Sequence, residues 1–113
     1  MDNGFYATLI ADSQAHPGIT VIEDARIRGG DATYLYSGTI QANNPDEVVA
    51  NLKIKAYQTK EEDPAFGASH DSFDLSLTGI QTDTGFQLTG YSPSGREIKI
   101  EATKIANIDL YPL

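Results

Sequence analysis

Cysteine is absent from this chain of 113 residues. Its absence excludes disulfides, thiolate metal ligands and a cysteine nucleophile, and it fits a reducing compartment. Basic residues are scarce: eight lysines and arginines stand against sixteen acidic residues, a net charge of −8. Nucleic-acid binding depends on neutralising phosphates with Lys and Arg. Here Arg26 and Arg28, Lys53 and Lys55, and Arg96 and Lys99 are scattered and form no basic block. Direct nucleic-acid binding is therefore not expected. No stretch approaches the roughly 20 apolar residues of a membrane-spanning helix. The opening Met1-Asp2-Asn3-Gly4-Phe5-Tyr6 has neither a basic region nor an apolar run of signal length. A cytoplasmic protein without membrane attachment is the expectation. The acidic charge serves solubility or meets a partner with a basic surface.

Helical spacing is also missing, and period-two alternation takes its place. Val48, Ala50, Leu52, Ile54 and Ala56 alternate with Val49, Asn51, Lys53, Lys55 and Tyr57. Phe73, Leu75 and Leu77 alternate with polar residues, as do Phe86 and Leu88, and Ile98, Ile100 and Ala102. Turn-forming clusters separate the runs: His16-Pro17-Gly18, Glu23-Asp24-Ala25, Asn43 to Asp46, Thr82 to Gly85 and Ser92 to Gly95. The pattern predicts about eight strands, near 4–11, 18–23, 25–29, 32–41, 47–58, 71–79, 85–91 and 95–105. Short connections predict antiparallel hairpins between sequence neighbours. The fold class is all-β: one domain over residues 1–113, an eight-stranded antiparallel up-and-down barrel, with a two-sheet sandwich as the fallback. Residues 59–69 interrupt the rhythm. They are acidic, contain Pro64 and Gly67, and place Phe66 in the middle. This segment reads either as a surface loop packing Phe66 over one end of the core or as a lid.

Catalytic and metal-binding patterns are wanting. The two histidines are His16 and His70. His70 lies near Glu61, Glu62, Asp63 and Asp71, but at no metal-motif spacing. Ser69-His70-Asp71 has the residue types of a hydrolase triad, yet adjacent residues cannot face one another as a triad requires. No nucleophile with its base, metal set or cofactor motif is evident, so no enzyme activity, no metal and no cofactor are expected. Asp46 and Glu47 form either a solvated turn or a small acidic contact patch for a protein partner.

The most informative segment runs from Arg28 to Gly38. Gly29, Gly30 and Asp31 read as a turn, since glycine tolerates positive φ and aspartate bonds its own backbone two residues on. Tyr34, Tyr36, Gly38 and Ile40 then share one strand face. In a barrel, Phe5, Tyr34, Tyr36, Leu52, Phe73 and Phe86 would point inward. They would either enclose a small apolar ligand or fill the core. Tyr57 and Tyr91 fall on polar faces, where exposed aromatics favour a dimer or partner surface.

Several segments resemble the GrlR-type family of negative regulators of type III secretion genes. They are Asn3-Gly4-Phe5-Tyr6, Gly18 to Ile22, the block from Glu23 to Asp31 with its Gly-Gly-Asp ending, and the tyrosine-rich strand Tyr34 to Gly38. The strand Ser72 to Gly79 is similar in pattern. The resemblance implies a lipocalin-like eight-stranded barrel, a homodimer and an apolar cavity able to take a lipid-like molecule. It also implies inhibition by sequestering a transcriptional activator, without catalysis. The founding regulator binds its activator through a run of acidic residues. At the matching turn, Asn43-Asn44-Pro45-Asp46-Glu47, the acidic members are Asp46 and Glu47, and a proline interrupts the run.

Overall fold

The computed structural model describes residues 1–11, 15–44, 46–57 and 72–110. Eight strands form in chain order: β1 (Gly4–Ala11), β2 (Ala15–Glu23), β3 (Arg26–Asp31), β4 (Tyr34–Asn44), β5 (Glu47–Ala56), β6 (Ser72–Gln81), β7 (Gly85–Tyr91) and β8 (Glu97–Ala106). Each pairs antiparallel with its neighbour in sequence, and β8 returns to β1, so the sheet is a closed barrel. This is the up-and-down architecture expected from the alternation, not the sandwich. Among the described residues no helix is long and apolar enough to cross a membrane.

Alternation decides what is inside. Along β5, Val48, Ala50, Leu52 and Ile54 are buried while Asn51, Lys53 and Lys55 are exposed. The registers carry this rule from strand to strand. Leu52 faces Gly38 on β4 and Leu75 on β6, and Phe86 on β7 faces Ala102 on β8. The result is one apolar core that includes Tyr6, Tyr34, Tyr36, Ile54, Leu77 and Phe86. Burying each large apolar side chain contributes about 1.5–3 kcal/mol. The Tyr6 and Phe86 rings meet at 5.5 Å with a 46° tilt.

Several boundaries differ from expectation, β4 for one running to Asn44 rather than 41, and at two the reason is identifiable. His16-Pro17-Gly18 is not a turn: β2 begins at Ala15, and Pro17 pairs with Leu9. The pairing of β2 with β3 ends at Gly18↔Asp31, so Pro17 stands where β2 has outrun one neighbour. There its missing N–H costs less than it would in a fully paired strand. Likewise β3 runs through Gly29 and Gly30 to Asp31 instead of stopping at 29.

The β2–β3 hairpin turns on Asp24 and Ala25, with φ of 54° and 66°. Both are left-handed, the pattern of a type I′ turn, whose twist suits adjoining strands. The Asp24 N–H donates to Asn3 Oδ1 at 3.0 Å, which ties this turn to the chain ahead of β1. Alanine pays a Cβ clash in that region that glycine does not. Ala25→Gly is therefore expected to stabilise the fold by about 0.5–1 kcal/mol, raising the melting temperature by about 4 °C. Ala25→Val should lower it. Thermal denaturation followed by circular dichroism measures both.

Candidate functional site

Asp31 is the most connected residue of the segment that carries the Gly-Gly-Asp motif. Its Oδ1 accepts the N–H groups of Thr33 and Tyr34, each at 2.8 Å. Its Oδ2 accepts the hydroxyl of Tyr36. Its carbonyl accepts the Tyr57 hydroxyl at 2.6 Å, and the Tyr57 N–H donates to the Thr33 carbonyl at 3.0 Å. One carboxylate thus caps the β3–β4 turn and holds an inward tyrosine, while its backbone anchors the end of β5.

The two glycines act differently from the turn role expected of them. Neither adopts positive φ. A Cβ on Gly29 would stand 2.1 Å from the Ile19 carbonyl oxygen, and one on Gly30 would stand 2.8 Å from that of Tyr34. They are strand residues required by close backbone approach. The turn itself falls on Ala32 and Thr33, beyond the strand. With the Asp31 carboxylate occupying the Thr33 and Tyr34 donors, this loop is a structural clasp rather than an anion cradle. Asp31→Ala should cost about 2 kcal/mol, since bonds to a charged acceptor are lost. Tyr36→Phe should cost clearly less in that background than in the unmodified protein. Urea unfolding of the four proteins measures the coupling.

The residues expected to line an interior cavity divide into three groups. Tyr36, Leu52 and Phe86 do line a hollow in the core, together with Thr8, Thr20 and Leu88. Within it the centre of a water molecule has about 10 Å³ to move. Tyr34 is buried in the core, and Phe73 is half-buried against it. Phe5 differs from expectation. It pairs with Val21 on the outer face, while Tyr6 pairs with Thr20 on the inner face. Both frames of β1 offer apolar residues, Phe5-Ala7-Leu9 and Tyr6-Thr8-Ile10. The second frame wins, with the Tyr6 hydroxyl satisfied by the Asp2 carbonyl at 2.7 Å. Burial, assisted by the charge of Asp2, pushes the Tyr6 pKa above its ordinary value.

A larger pocket of about 330 Å³ opens at one end of the barrel, beside the β6–β7 turn. Tyr6, Thr82, Asp83 and Lys104 contribute to its wall, as does Asp2. Its charges are mixed, so it suits a polar ligand better than a lipid.

Asp46 and Glu47 lie at the β4–β5 connection, and both are exposed. Glu47 accepts a bond from Asn43 Nδ2 at 3.3 Å. Pro45, between these residues in the chain, lies outside the described residues. So do residues 59–69 with Phe66, the acidic trio Glu61 to Asp63, the Ser69-His70-Asp71 sequence and Tyr111. Among the described residues no three His, Cys, Asp or Glu side chains gather as a metal site would require.

The outer face of β1 and β2 went unnoticed in the sequence. Phe5, Ala7 and Leu9 on β1 stand beside Val21, Ile19 and Pro17 on β2. The row continues through Gly30 to Leu35. Leu9, Ile19 and Leu35 are 38%, 46% and 50% exposed, so the apolar surface is contiguous and open. Arg26 and Arg28 border it on β3, and Lys99 and Glu101 border it on β8. By contrast the outer positions of β5 to β7 are mostly polar, as with Lys53, Asp74, Ser76 and Gln87. The signal available in the sequence is the second apolar frame of β1, Phe5-Ala7-Leu9, of which Phe5 is expected inside. No family model and no curated protein matches the chain, so its function has to be read from this geometry.

Proposed function

We propose that this protein is a non-enzymatic cytoplasmic regulator that works by holding protein partners on the outside of its barrel, in the manner of the GrlR-type negative regulators it resembles. The filled interior carries the reading. Core side chains occupy the barrel down to a hollow the size of a water molecule, so recognition falls to the outer surfaces. Two of these are suited to it. Asp46 and Glu47 present an exposed acidic turn on a chain of net charge −8, which favours a basic partner such as a transcriptional activator through charge complementarity. The outer face of β1 and β2 suits a second copy of the chain. It is apolar, uncharged at its centre and rimmed by charge, the anatomy of an interface core. Two like-charged protomers would repel elsewhere on their surfaces. The alternative role, a carrier of small lipophilic molecules, has less support, because the hollow is small and the larger mouth pocket carries Asp2, Asp83 and Lys104.

Two measurements test the proposal. Native mass spectrometry of the protein gently isolated from its own cells should show a complex with a basic DNA-binding protein. Asp46→Lys with Glu47→Lys should weaken that complex about tenfold or more. A complex indifferent to the charge reversal would place the contact elsewhere. Separately, sedimentation should show a dimer that Ile19→Asp converts to monomer without loss of the fold. A dimer that survives Ile19→Asp would remove the β1–β2 face from the assembly.

A further inference from the structure

Among the described residues, two hydroxyls inside the barrel make no hydrogen bond. They are Thr8 Oγ1 and Thr20 Oγ1, and both are buried. Their residues are 5% and 3% exposed. A buried polar group left unpaired costs about 1–3 kcal/mol, so two on one wall call for an explanation.

Register places them together. On the inner face of the β1–β2 ladder, Tyr6 is opposite Thr20 and Thr8 is opposite Gly18. Thr8 and Thr20 are therefore diagonal neighbours, about 7 Å apart between Cα atoms. Across β2 from Thr20 stands Gly29, so glycines flank the pair and offer no side-chain donor or acceptor. Both threonines line the same hollow, and their apolar companions there include Leu52, Leu88 and Ile100. Tyr36 also lines it, but its hydroxyl is given to Asp31.

We propose that Thr8 and Thr20 form an internal binding site for a single water molecule, which bridges their hydroxyls on the inner wall of β1 and β2. Each threonine offers one donor and two acceptor sites, and water supplies both functions in one small body. The room matches: about 10 Å³ for the water's centre is what one enclosed water requires. An organic ligand needs a cavity of roughly 300 Å³ or more. The site is shut. Tyr6 faces the mouth pocket, Phe86 faces the hollow, and the two rings are in contact between them.

The test uses the full chain with ¹³C-methyl-labelled threonine. Nuclear Overhauser effects between water and the γ-methyl groups should appear at Thr8 and Thr20 with the sign of a long-lived bound water. Thr8→Val and Thr20→Val should each lower the melting temperature by about 4 °C. The double variant should lose the water signal and cost less than the sum, because both hydroxyls use one molecule. Two results would overturn the assignment. One is no water signal at either methyl together with a rise in melting temperature for each valine, which would mean dry hydroxyls. The other is interior electron density extending beyond one water in a high-resolution crystal structure, which would mean a larger ligand.

Discussion

The ladder between β1 and β8, from Phe5↔Ala106 to Ala11↔Lys99, closes the sheet on itself. A closed sheet has no unpaired edge to template association. Closure also ties every strand's inner face to one shared space. This ladder carries a shift of register between Phe5 and Tyr6, of the kind that bends and twists a strand. The side-chain period of a strand is two, so a slip of one residue in this ladder would exchange the inner and outer sets of β1. The core, the Thr8–Thr20 pair and the apolar outer face all depend on that one register.

The Asp31 clasp is the second constraint, and it acts at the β3–β4 turn rather than within the core. Its carboxylate is shared by two backbone N–H groups and a tyrosine hydroxyl. Tyr36 consequently reaches from the interior to a charged acceptor at the barrel's end. A buried tyrosine needs such a partner, and Tyr6 finds its own in the Asp2 carbonyl. The two tyrosines thus join the core to the chain ends and turns around it.

Inside and outside carry different work. The interior is mostly apolar and filled, with polar groups either bonded or gathered at the threonine pair. The exterior is polar on β5 to β7 and apolar on β1 and β2. The apolar outer face of β1 and β2 and the exposed Asp46 and Glu47 are the two surfaces on which the proposed recognition rests. That division is the physical basis of the proposal that it holds partners on its surface.

Period-two alternation in β5, β7 and β8 marked those strands and their faces, because an antiparallel strand half in and half out of a core repeats every second residue. The turns at Thr82–Gly85 and Ser92–Gly95 were legible for the same reason: local bonds such as Gly85 N–H to Thr82 Oγ1 form them. What alternation could not decide was the frame of β1, where both faces read as apolar. Only pairing with β2 and β8 set Tyr6 inward and Phe5 outward. The Gly-Gly-Asp motif showed that backbone geometry was special at this point. Whether its glycines served positive φ or close approach depended on Ile19 and Tyr34, which arrive from neighbouring strands. Thr8 and Thr20 looked like ordinary strand residues until closure enclosed them. Local periodicity, then, was written along the chain, whereas frame, close approach and enclosure are relations between strands that exist only once the barrel has formed.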